Sequence, residues 1–471
     1  MKTRTVIGFA VGPVATALIS LVAVPAVAWA FSPEDVARYN LLQIFVSFGV
    51  LFATLGLDQG YVRHFHEAPD RAVLLRSCVI PSALLFIAVA LPSMIVSEPL
   101  ANLFFGTADA RVFPVALACC AAAIVSRFLS LILRMEERAL AFSASQLIPK
   151  AVFLVAIGLL VLLAVDRDFL SLSYALLSSW VAVAVITGWS TRAHWQRALR
   201  VRTDRGLVRV LIRYSAPLIF AGLAYWALTA TSAMALRYLS SLSELGVYSV
   251  ALTFAGAAVV VQTIFSVVWA PVVYRWVAER SDLARVDTVT QQVLAVVTVV
   301  LVLVGSFSWV TDILLPPAYS DVKYLVVGSI LQPLLYTLSE ATGIGINITR
   351  RTVWSVWCTL GALAVSGALN VALVPHLGAK GAVIATTIAY FVFFVGRTEA
   401  SVRTWRPSPR GRLYAVTALS VAGALMTVVW GPETGRWYAV GWAAMMPLIV
   451  YVFRDQWGAL RRLRSPGMVA S

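Results

Sequence analysis

Four ionisable side chains lie inside otherwise apolar stretches of this sequence: Asp58, Arg127, Lys150 and Glu340. A charged side chain at membrane depth costs about 3 kcal/mol on insertion scales, so such residues face a bundle interior or a water-filled cavity. Two cations, two anions and nearby amides favour a cavity that accepts an anionic headgroup with attached sugars from the cytoplasmic side. The alternative is that the charges form ion pairs whose role is to hold the helices together.

Asp58 belongs to a polar stripe on the apolar segment 40–62. The stripe has members at i, i+4, i+11 and i+15: Gln43, Ser47, Thr54 and Asp58. This spacing places them on one face of a helix, which we predict to face a bundle interior. The segment follows an acidic run at 32–35, predicted to be a short hairpin. In a second interpretation, Asp58 sits at the membrane interface and pairs with Arg63.

A second polar stripe follows the segment 323–348. Its members are spaced by four, four, three and four residues: Gln332, Tyr336, Glu340, Gly343 and Asn347. This face is predicted to be either lumenal or tightly packed. The two intramembrane cations also have polar neighbours on their own helix faces, since Ser130 follows Arg127 by three residues and Gln146 precedes Lys150 by four.

The composition defines the class of protein. Of 471 residues, 60% are hydrophobic and 13% are charged. Apolar stretches long enough to cross about 30 Å of hydrocarbon recur along the chain, with no polar segment of domain length between them. We predict an all-α polytopic membrane protein with about 14 transmembrane helices. The spans lie near residues 6–30, 40–62, 77–97, 111–133, 144–165, 168–190, 211–236, 245–270, 289–311, 323–348, 352–374, 379–396, 413–430 and 436–453.

The net charge of +15 reflects membrane orientation rather than nucleic-acid binding. When alternate loops are assigned to opposite sides, most of the 37 Lys and Arg fall on the side of the N terminus, whereas the acidic residues divide evenly. Because basic loops stay in the cytoplasm, both termini are predicted to be cytoplasmic. The basic tail, with Arg454, Arg461, Arg462 and Arg464, is predicted to be a cytoplasmic anchor.

Catalytic and metal-binding patterns are missing from the sequence. The 4 cysteines lie in apolar stretches without metal or redox spacing, so no metal or cofactor is expected. A membrane enzyme such as a polysaccharide polymerase or ligase would be expected to use a sizeable outer loop with catalytic groups. The predicted outer loops are short and carry neither clustered His nor paired carboxylates. The sequence therefore favours a transporter over an enzyme.

Two similar halves flank a basic linker. Residues 240–254 match residues 31–45, and Ala216-Pro217 echoes Gly12-Pro13. Six spans followed by six related spans that begin on the same side predict a parallel repeat. The linker is either a topology anchor or a partly amphipathic segment lying along an anionic inner leaflet. The predicted divisions are a first six-helix lobe, the linker, a second six-helix lobe and two extra helices with a basic tail: 1–190, 191–210, 211–397 and 398–471.

Three stretches resemble the Wzx-type polysaccharide-biosynthesis flippases. They are Leu55-Gly56-Leu57-Asp58-Gln59-Gly60-Tyr61-Val62-Arg63; Tyr214-Ser215-Ala216-Pro217-Leu218 with Glu244-Leu245-Gly246-Val247-Tyr248-Ser249; and Leu377-Gly378-Ala379-Lys380-Gly381-Ala382-Val383-Ile384-Ala385-Thr386. The resemblance covers nearly the whole chain. It implies membership of the multidrug/oligosaccharidyl-lipid/polysaccharide (MOP) exporter superfamily, with two pseudo-symmetric six-helix lobes in the V shape of MATE transporters, two extra helices and alternating access.

One departure concerns span seven. Many relatives carry an Asp-Arg pair after a serine, whereas this chain has Ser232-Ala233-Met234. A role of that pair in binding or gating must be absent here or taken over, for which Arg237 is the candidate. Arg237 is otherwise an interfacial residue whose head reaches water.

The resemblance and the charges together predict a flippase of the bacterial cytoplasmic membrane. Its expected cargo is an undecaprenyl-pyrophosphate-linked oligosaccharide, such as a repeat unit of O-antigen, capsule or exopolysaccharide. Expected partners are this lipid, anionic membrane lipids and the polymerase machinery, and the protein is expected to act as a monomer. A MATE-like drug exporter is the nearest alternative. The predicted cavity residues are Arg127, Lys150, Arg63, Arg237, Asn347, Gln332 and Tyr336, and the candidates for ion coupling or gating are Asp58 and Glu340.

Overall fold

The structure, a computed structural model, describes residues 3–164, 166–280, 283–454 and 456. Within these ranges the chain forms helices and no strand. The α-helices described are α1 (Thr3–Ala30), α2 (Pro33–Thr54), α3 (Leu57–His64), α4 (Arg71–Ser93), α5 (Ser97–Phe105), α6 (Val112–Met135), α7 (Ala139–Leu162), α8 (Phe169–Ser190), α9 (Arg192–Arg200), α10 (Arg205–Leu239), α11 (Leu242–Ala255), α12 (Ala257–Ala278), α13 (Ala284–Phe307), α14 (Thr311–Leu314), α15 (Val322–Ser329), α16 (Leu331–Ile348), α17 (Val353–Thr404), α18 (Gly411–Thr434) and α19 (Trp437–Val452).

The all-α polytopic prediction is confirmed. In the described ranges, 11 helices are long and apolar enough to cross a membrane, and three shorter apolar helices accompany them. Predicted span eight is divided between α11 and α12, and the 52-residue α17 covers predicted spans eleven and twelve. Each predicted span therefore falls on one helix or on consecutive helices. The tail arginines at 461, 462 and 464 lie outside the described residues.

The chain forms two compact units, Met1–Ala230 and Thr231–Ser471. The division falls inside α10, so this one helix passes from the first unit into the second. In the first unit, a core of buried side chains joins α3, α4 and α6, with Leu57, Tyr61, Leu74 and Phe128 at its centre. This core holds the short helix α3, which carries Asp58.

The start of α2 corrects the predicted hairpin. Ser32 is the N-cap of the helix, and its hydroxyl accepts a 3.2 Å hydrogen bond from the Asp35 backbone N–H. Pro33 occupies the first helical position, where a missing N–H costs nothing. The run is acidic because carboxylates stabilise the positive end of a helix dipole, not because the chain turns back on itself.

The predicted span 40–62 is wrong as a single helix. α2 ends at Leu55 and Gly56, which both adopt left-handed backbone conformations, with φ angles of 49° and 69°. Helix α3 then starts at Leu57 without a side-chain cap, and its first turn carries Asp58. Two glycines set the position of α3 against α10, because a Cβ on Gly56 would lie 3.2 Å from the Ser215 carbonyl oxygen and one on Gly60 would lie 3.1 Å from the Ser215 hydroxyl.

The basic linker is a docked element of the first unit. Its helix α9 packs against α4, where the Arg76 guanidinium donates to the carbonyls of Ala198 and Leu199 at 3.1 and 2.9 Å. Arg197 pairs with Asp70 at 3.2 Å. These bonds satisfy carbonyls at the end of α9, which a free helix would leave to water. Protein contacts therefore fix part of the linker, whatever its relation to the membrane surface.

Two of the motif segments meet in the second unit. Gly378 interrupts α17 with φ 52° and ψ −129°, and the N–H of the next residue, Ala379, donates to the Glu244 carboxylate at 2.8 Å. Glu244 thus caps the restarted part of α17. Gly381 is also constrained, because a Cβ there would lie 2.7 Å from the Leu373 carbonyl oxygen. The two motif segments therefore meet at one helix break.

Candidate functional site

A cavity of about 720 Å³ lies within the first unit, between α1, α2, α3, α6, α7 and α8. All four members of the first polar stripe line it, although the break between α2 and α3 separates Thr54 from Asp58. The prediction that they share an interior face is confirmed. The cations Arg127 and Lys150 also line the cavity, and so do Gln146, Ser130 and Trp180.

Asp58 and Arg127 form an ion pair at the wall of this cavity. The Arg127 Nη2 and Nε atoms both donate to Asp58 Oδ2, at 2.6 and 3.1 Å, and Gln59 Nε2 donates to the same oxygen at 3.1 Å. The Asp58 side chain is 10% exposed and that of Arg127 is 45% exposed. The acidic partner is therefore buried and compensated, while much of the guanidinium remains accessible.

Arg63 lies elsewhere. The interpretation that pairs it with Asp58 is wrong, because the Arg63 guanidinium, at the exposed end of α3, donates to Glu67 just beyond the helix. That hydrogen bond holds the pKa of the Glu67 carboxyl below its ordinary value. Arg63 is also outside the set of described residues that line the cavity. Its geometry is that of a surface residue at the end of a short helix.

Among the described residues, Lys150 differs from Arg127 in having no acidic partner. It lies on α7, one turn after Gln146, and both side chains line the cavity. Among the residues that the structure describes, no carboxylate oxygen lies within 4.0 Å of the Lys150 ammonium. An ammonium inside an apolar helix without a counter-ion needs water or an anionic ligand.

Glu340 is held within the second unit. Ser266 on α12 donates a hydrogen bond to the Glu340 carboxylate from across the helix interface. Arg397 on α17 donates to Ser339 at 3.1 Å, and its guanidinium lies against Gly343, where a Cβ would be 3.2 Å from Nε. The Arg397 side chain therefore runs along α16 beside Glu340. Arg397 directly follows the end of predicted span twelve, so the sequence pattern does not mark it as an intramembrane charge.

The second polar stripe is tightly packed over much of its length. Gln332 donates to the Tyr390 hydroxyl at 3.2 Å, and Tyr336 stacks on Phe393 with ring centroids 5.9 Å apart. Both partners belong to α17. Asn347, near the end of α16, is exposed. Of the two predictions for this face, close packing therefore describes the contacts of Gln332, Tyr336 and Gly343.

The unusual segment in predicted span seven forms a buried, uncharged network in the second unit. The Ser232 hydroxyl accepts from Asn370 Nδ2 at 3.0 Å and lies 2.8 Å from the Thr386 hydroxyl. Arg237, five residues later near the end of α10, stacks over the Tyr238 ring at 5.5 Å. The chain thus fills this position with hydroxyl and amide groups.

Each unit contains, within itself, a polar contact between corresponding predicted spans. Asp58 and Arg127 join the second and fourth predicted spans of the first half, while Ser266 and Glu340 join the second and fourth predicted spans of the second half. On the fourth span of each half, the cation Arg127 of the first half corresponds to the anion Glu340 of the second. On the second span, the anion Asp58 corresponds to the uncharged Ser266. This correspondence supports the internal repeat and identifies Ser266, which the sequence analysis missed although it falls close to the register of the repeated segments.

Comparisons with known proteins give both a family and a fold. The family profile described as "Polysaccharide biosynthesis protein" matches residues 3–277. A search of curated protein sequences finds no match. A solved structure of lipid II flippase MurJ in an inward closed conformation has a TM-score of 0.70 at 12% identity, covering 95% of this chain and 99% of that one.

MATE structures are also similar, at lower scores. One in complex with MaL6 has a TM-score of 0.53 and one in a bent conformation 0.51, each at 15% identity and covering 88% of this chain and 96% of the other. At these identities the likeness shows the fold alone, which is that of the MurJ and MATE structures. Since the family profile covers more than half of the sequence, this multi-pass membrane chain belongs to the polysaccharide biosynthesis protein family.

Proposed function

We propose that this protein flips an undecaprenyl-pyrophosphate-linked oligosaccharide from the cytoplasmic to the outer leaflet of a bacterial cytoplasmic membrane by alternating access. The family supports a cargo from polysaccharide synthesis, and the fold supports transport. Both termini are cytoplasmic in this proposal, because the basic loops then face the cytoplasm. Outward movement of an anionic headgroup gains about 2.3 kcal/mol per negative charge per 100 mV of inside-negative potential.

The observation that carries the proposal is the Lys150 ammonium in the cavity of the first unit. Arg127, on the neighbouring α6, already shares its charge with Asp58. Lys150 has no carboxylate partner within 4.0 Å among the described residues, so its charge is the one available to a pyrophosphate. The half-exposed Arg127 guanidinium lines the same cavity and supplies further donors. The Lys150 ammonium would repel a cationic drug.

The test is complementation of a deletion strain by Lys150→Ala and Lys150→Arg, with the amount of protein in the membrane measured in parallel. We expect the alanine variant to accumulate normally but to leave lipid-linked repeat units unflipped and surface polysaccharide absent. The arginine variant should restore part of the activity, because it keeps the charge with a different geometry. The matched control is Lys323→Ala, which removes a lysine paired with Asp312 at 2.8 Å in the other unit.

Wild-type polysaccharide in cells that carry Lys150→Ala would overturn the assignment of the cation. Normal surface polysaccharide in a clean deletion without a paralogue would overturn the cargo. The same strains distinguish the rivals: a drug exporter predicts a changed susceptibility to cationic drugs with normal polysaccharide. A polymerase or ligase predicts that repeat units reach the outer leaflet but remain single or unattached.

A further inference from the structure

The polar groups that line the cavity of the first unit fall into two chemical classes. Several serine hydroxyls are used by their own helices: Ser126 donates to the Ala122 carbonyl at 2.7 Å, and Ser145 donates to the Phe142 carbonyl at 2.6 Å. Ser179 likewise donates to a carbonyl of α8. The single O–H donor of each of these hydroxyls is already hydrogen-bonded, so only the acceptor lone pairs of the oxygen remain for a ligand.

The second class has no such internal partner among the described residues. In the part of the chain that the structure describes, no hydrogen bond involves the side-chain amides of Gln43 and Gln146, the Ser130 hydroxyl or the Trp180 indole N–H. These four groups come from α2, α7, α6 and α8, so they surround the cavity rather than cluster on one helix. Together they present amide donors, amide acceptors, a hydroxyl and an aromatic surface.

We propose that this cavity is a saccharide subsite, in which Gln43, Gln146 and Trp180 bind the first sugars of the cargo while Lys150 binds the phosphate. Sugar hydroxyls donate and accept hydrogen bonds, which matches amides that do both. The apolar C–H face of a pyranose packs on an aromatic ring, and Trp180 offers such a ring together with an N–H donor. The volume of about 720 Å³ lies within the range of ligand pockets, about 300–1,000 Å³.

Charge separates this subsite from the phosphate site. The uncharged side chains named here bind a ligand through hydrogen bonds and packing. They therefore contribute to binding of the sugars rather than of the charged pyrophosphate. Lys150 does the opposite, since an ammonium attracts phosphate whatever sugar is attached. The proposal rests on the proposed function, and it adds that sugar recognition and headgroup recognition are carried by different side chains of one cavity.

The experiment measures binding of two lipids to the purified full-length protein in nanodiscs. One is synthetic undecaprenyl pyrophosphate, and the other is the lipid-linked oligosaccharide extracted from the deletion strain. The variants are Gln146→Leu, Trp180→Ala and Lys150→Ala, each checked for a monodisperse elution profile. The matched control is Ser145→Ala, adjacent to Gln146 in sequence and also at the cavity, whose hydroxyl is bonded to its own helix.

We expect wild-type protein to bind the sugar-bearing lipid more tightly. Gln146→Leu should weaken that binding about fivefold, the effect of one net hydrogen bond, and leave the bare lipid unchanged. Trp180→Ala should have the same selective effect, Lys150→Ala should weaken both lipids, and Ser145→Ala should weaken neither. Equal wild-type affinity for the two lipids, or equal losses for both lipids in the Gln146 and Trp180 variants, would overturn the subsite. Binding of neither lipid would overturn the proposed function itself.

Discussion

The ion pair between Asp58 and Arg127 makes an asymmetric prediction about stability. Removing Arg127 leaves a carboxylate that is 10% exposed, whereas removing Asp58 leaves a guanidinium that is 45% exposed and open to water. The buried partner is the one that suffers from losing its counter-ion. We therefore expect Arg127→Ala to destabilise the protein more than Asp58→Ala does.

The magnitude follows from what remains around each group. Leaving one member of a fully buried pair unpaired costs about 3–5 kcal/mol. Here the half-exposed Arg127 reduces that value, because water screens the pair. Asp58 also keeps its 3.1 Å bond from Gln59 and its place in the first turn of α3, where the helix dipole contributes about 0.3–1 kcal/mol. We expect about 2 kcal/mol for Arg127→Ala and about 1 kcal/mol for Asp58→Ala.

The assay is thermal unfolding in detergent for Arg127→Ala, for Asp58→Ala and for the double variant that combines these two substitutions, alongside complementation. The double variant should be more stable than the sum of the single losses, with a coupling of about 1 kcal/mol. If Arg127 also contacts the cargo, the double variant will regain stability without regaining transport. Equal losses in the two single variants, or a coupling of zero, would refute this account of the pair.

Two further predictions concern the helix break and the orientation of the chain. Gly378→Ala should lower the free energy of unfolding by about 2 kcal/mol, because the backbone conformation favours glycine and the new Cβ would lie 2.6 Å from the Glu244 carboxylate. Glu244→Gln keeps a hydrogen-bond acceptor and should be less destabilising. Thermal unfolding of both variants in detergent measures the difference. Single cysteines at Pro33 and Asp321 should react with an impermeant thiol reagent added outside, and one at Arg205 should not, in a background where the partly buried Cys358 is replaced. Labelling at Arg205 from outside would contradict the topology.

The sequence was sufficient for the fold class because membrane length and hydropathy constrain helices strongly. It was insufficient for the helix breaks. The turn at Leu55 and Gly56 depends on a left-handed non-glycine residue, which local preference does not predict. Likewise, Glu244 caps the break at Gly378 from more than a hundred positions away, so neither residue reveals the contact by itself.

The candidate site was predicted in part. Periodicity identified the polar stripe that lines the cavity. The break between α2 and α3 does not change this result, because the same polar residues still face the cavity. It could not say which charges pair. The partner of Asp58 is Arg127 on another helix rather than the nearby Arg63, and only the packing of α3 against α6 decides that. Trp180 was missed because an aromatic residue in an apolar helix carries no polar signal.

The repeated polar contact shows how the two halves have diverged in chemistry. In the first unit, Asp58 uses a buried carboxylate to hold Arg127, which leaves Lys150 as a cation with no acidic partner within 4.0 Å among the described residues. In the second unit, the Glu340 carboxylate accepts a hydrogen bond from the uncharged Ser266 hydroxyl. A site for an anionic headgroup needs uncompensated positive charge, and a carboxylate beside it would weaken binding. The first unit meets that requirement, so transport should be more sensitive to neutralising Lys150 than to replacing Glu340 with Gln.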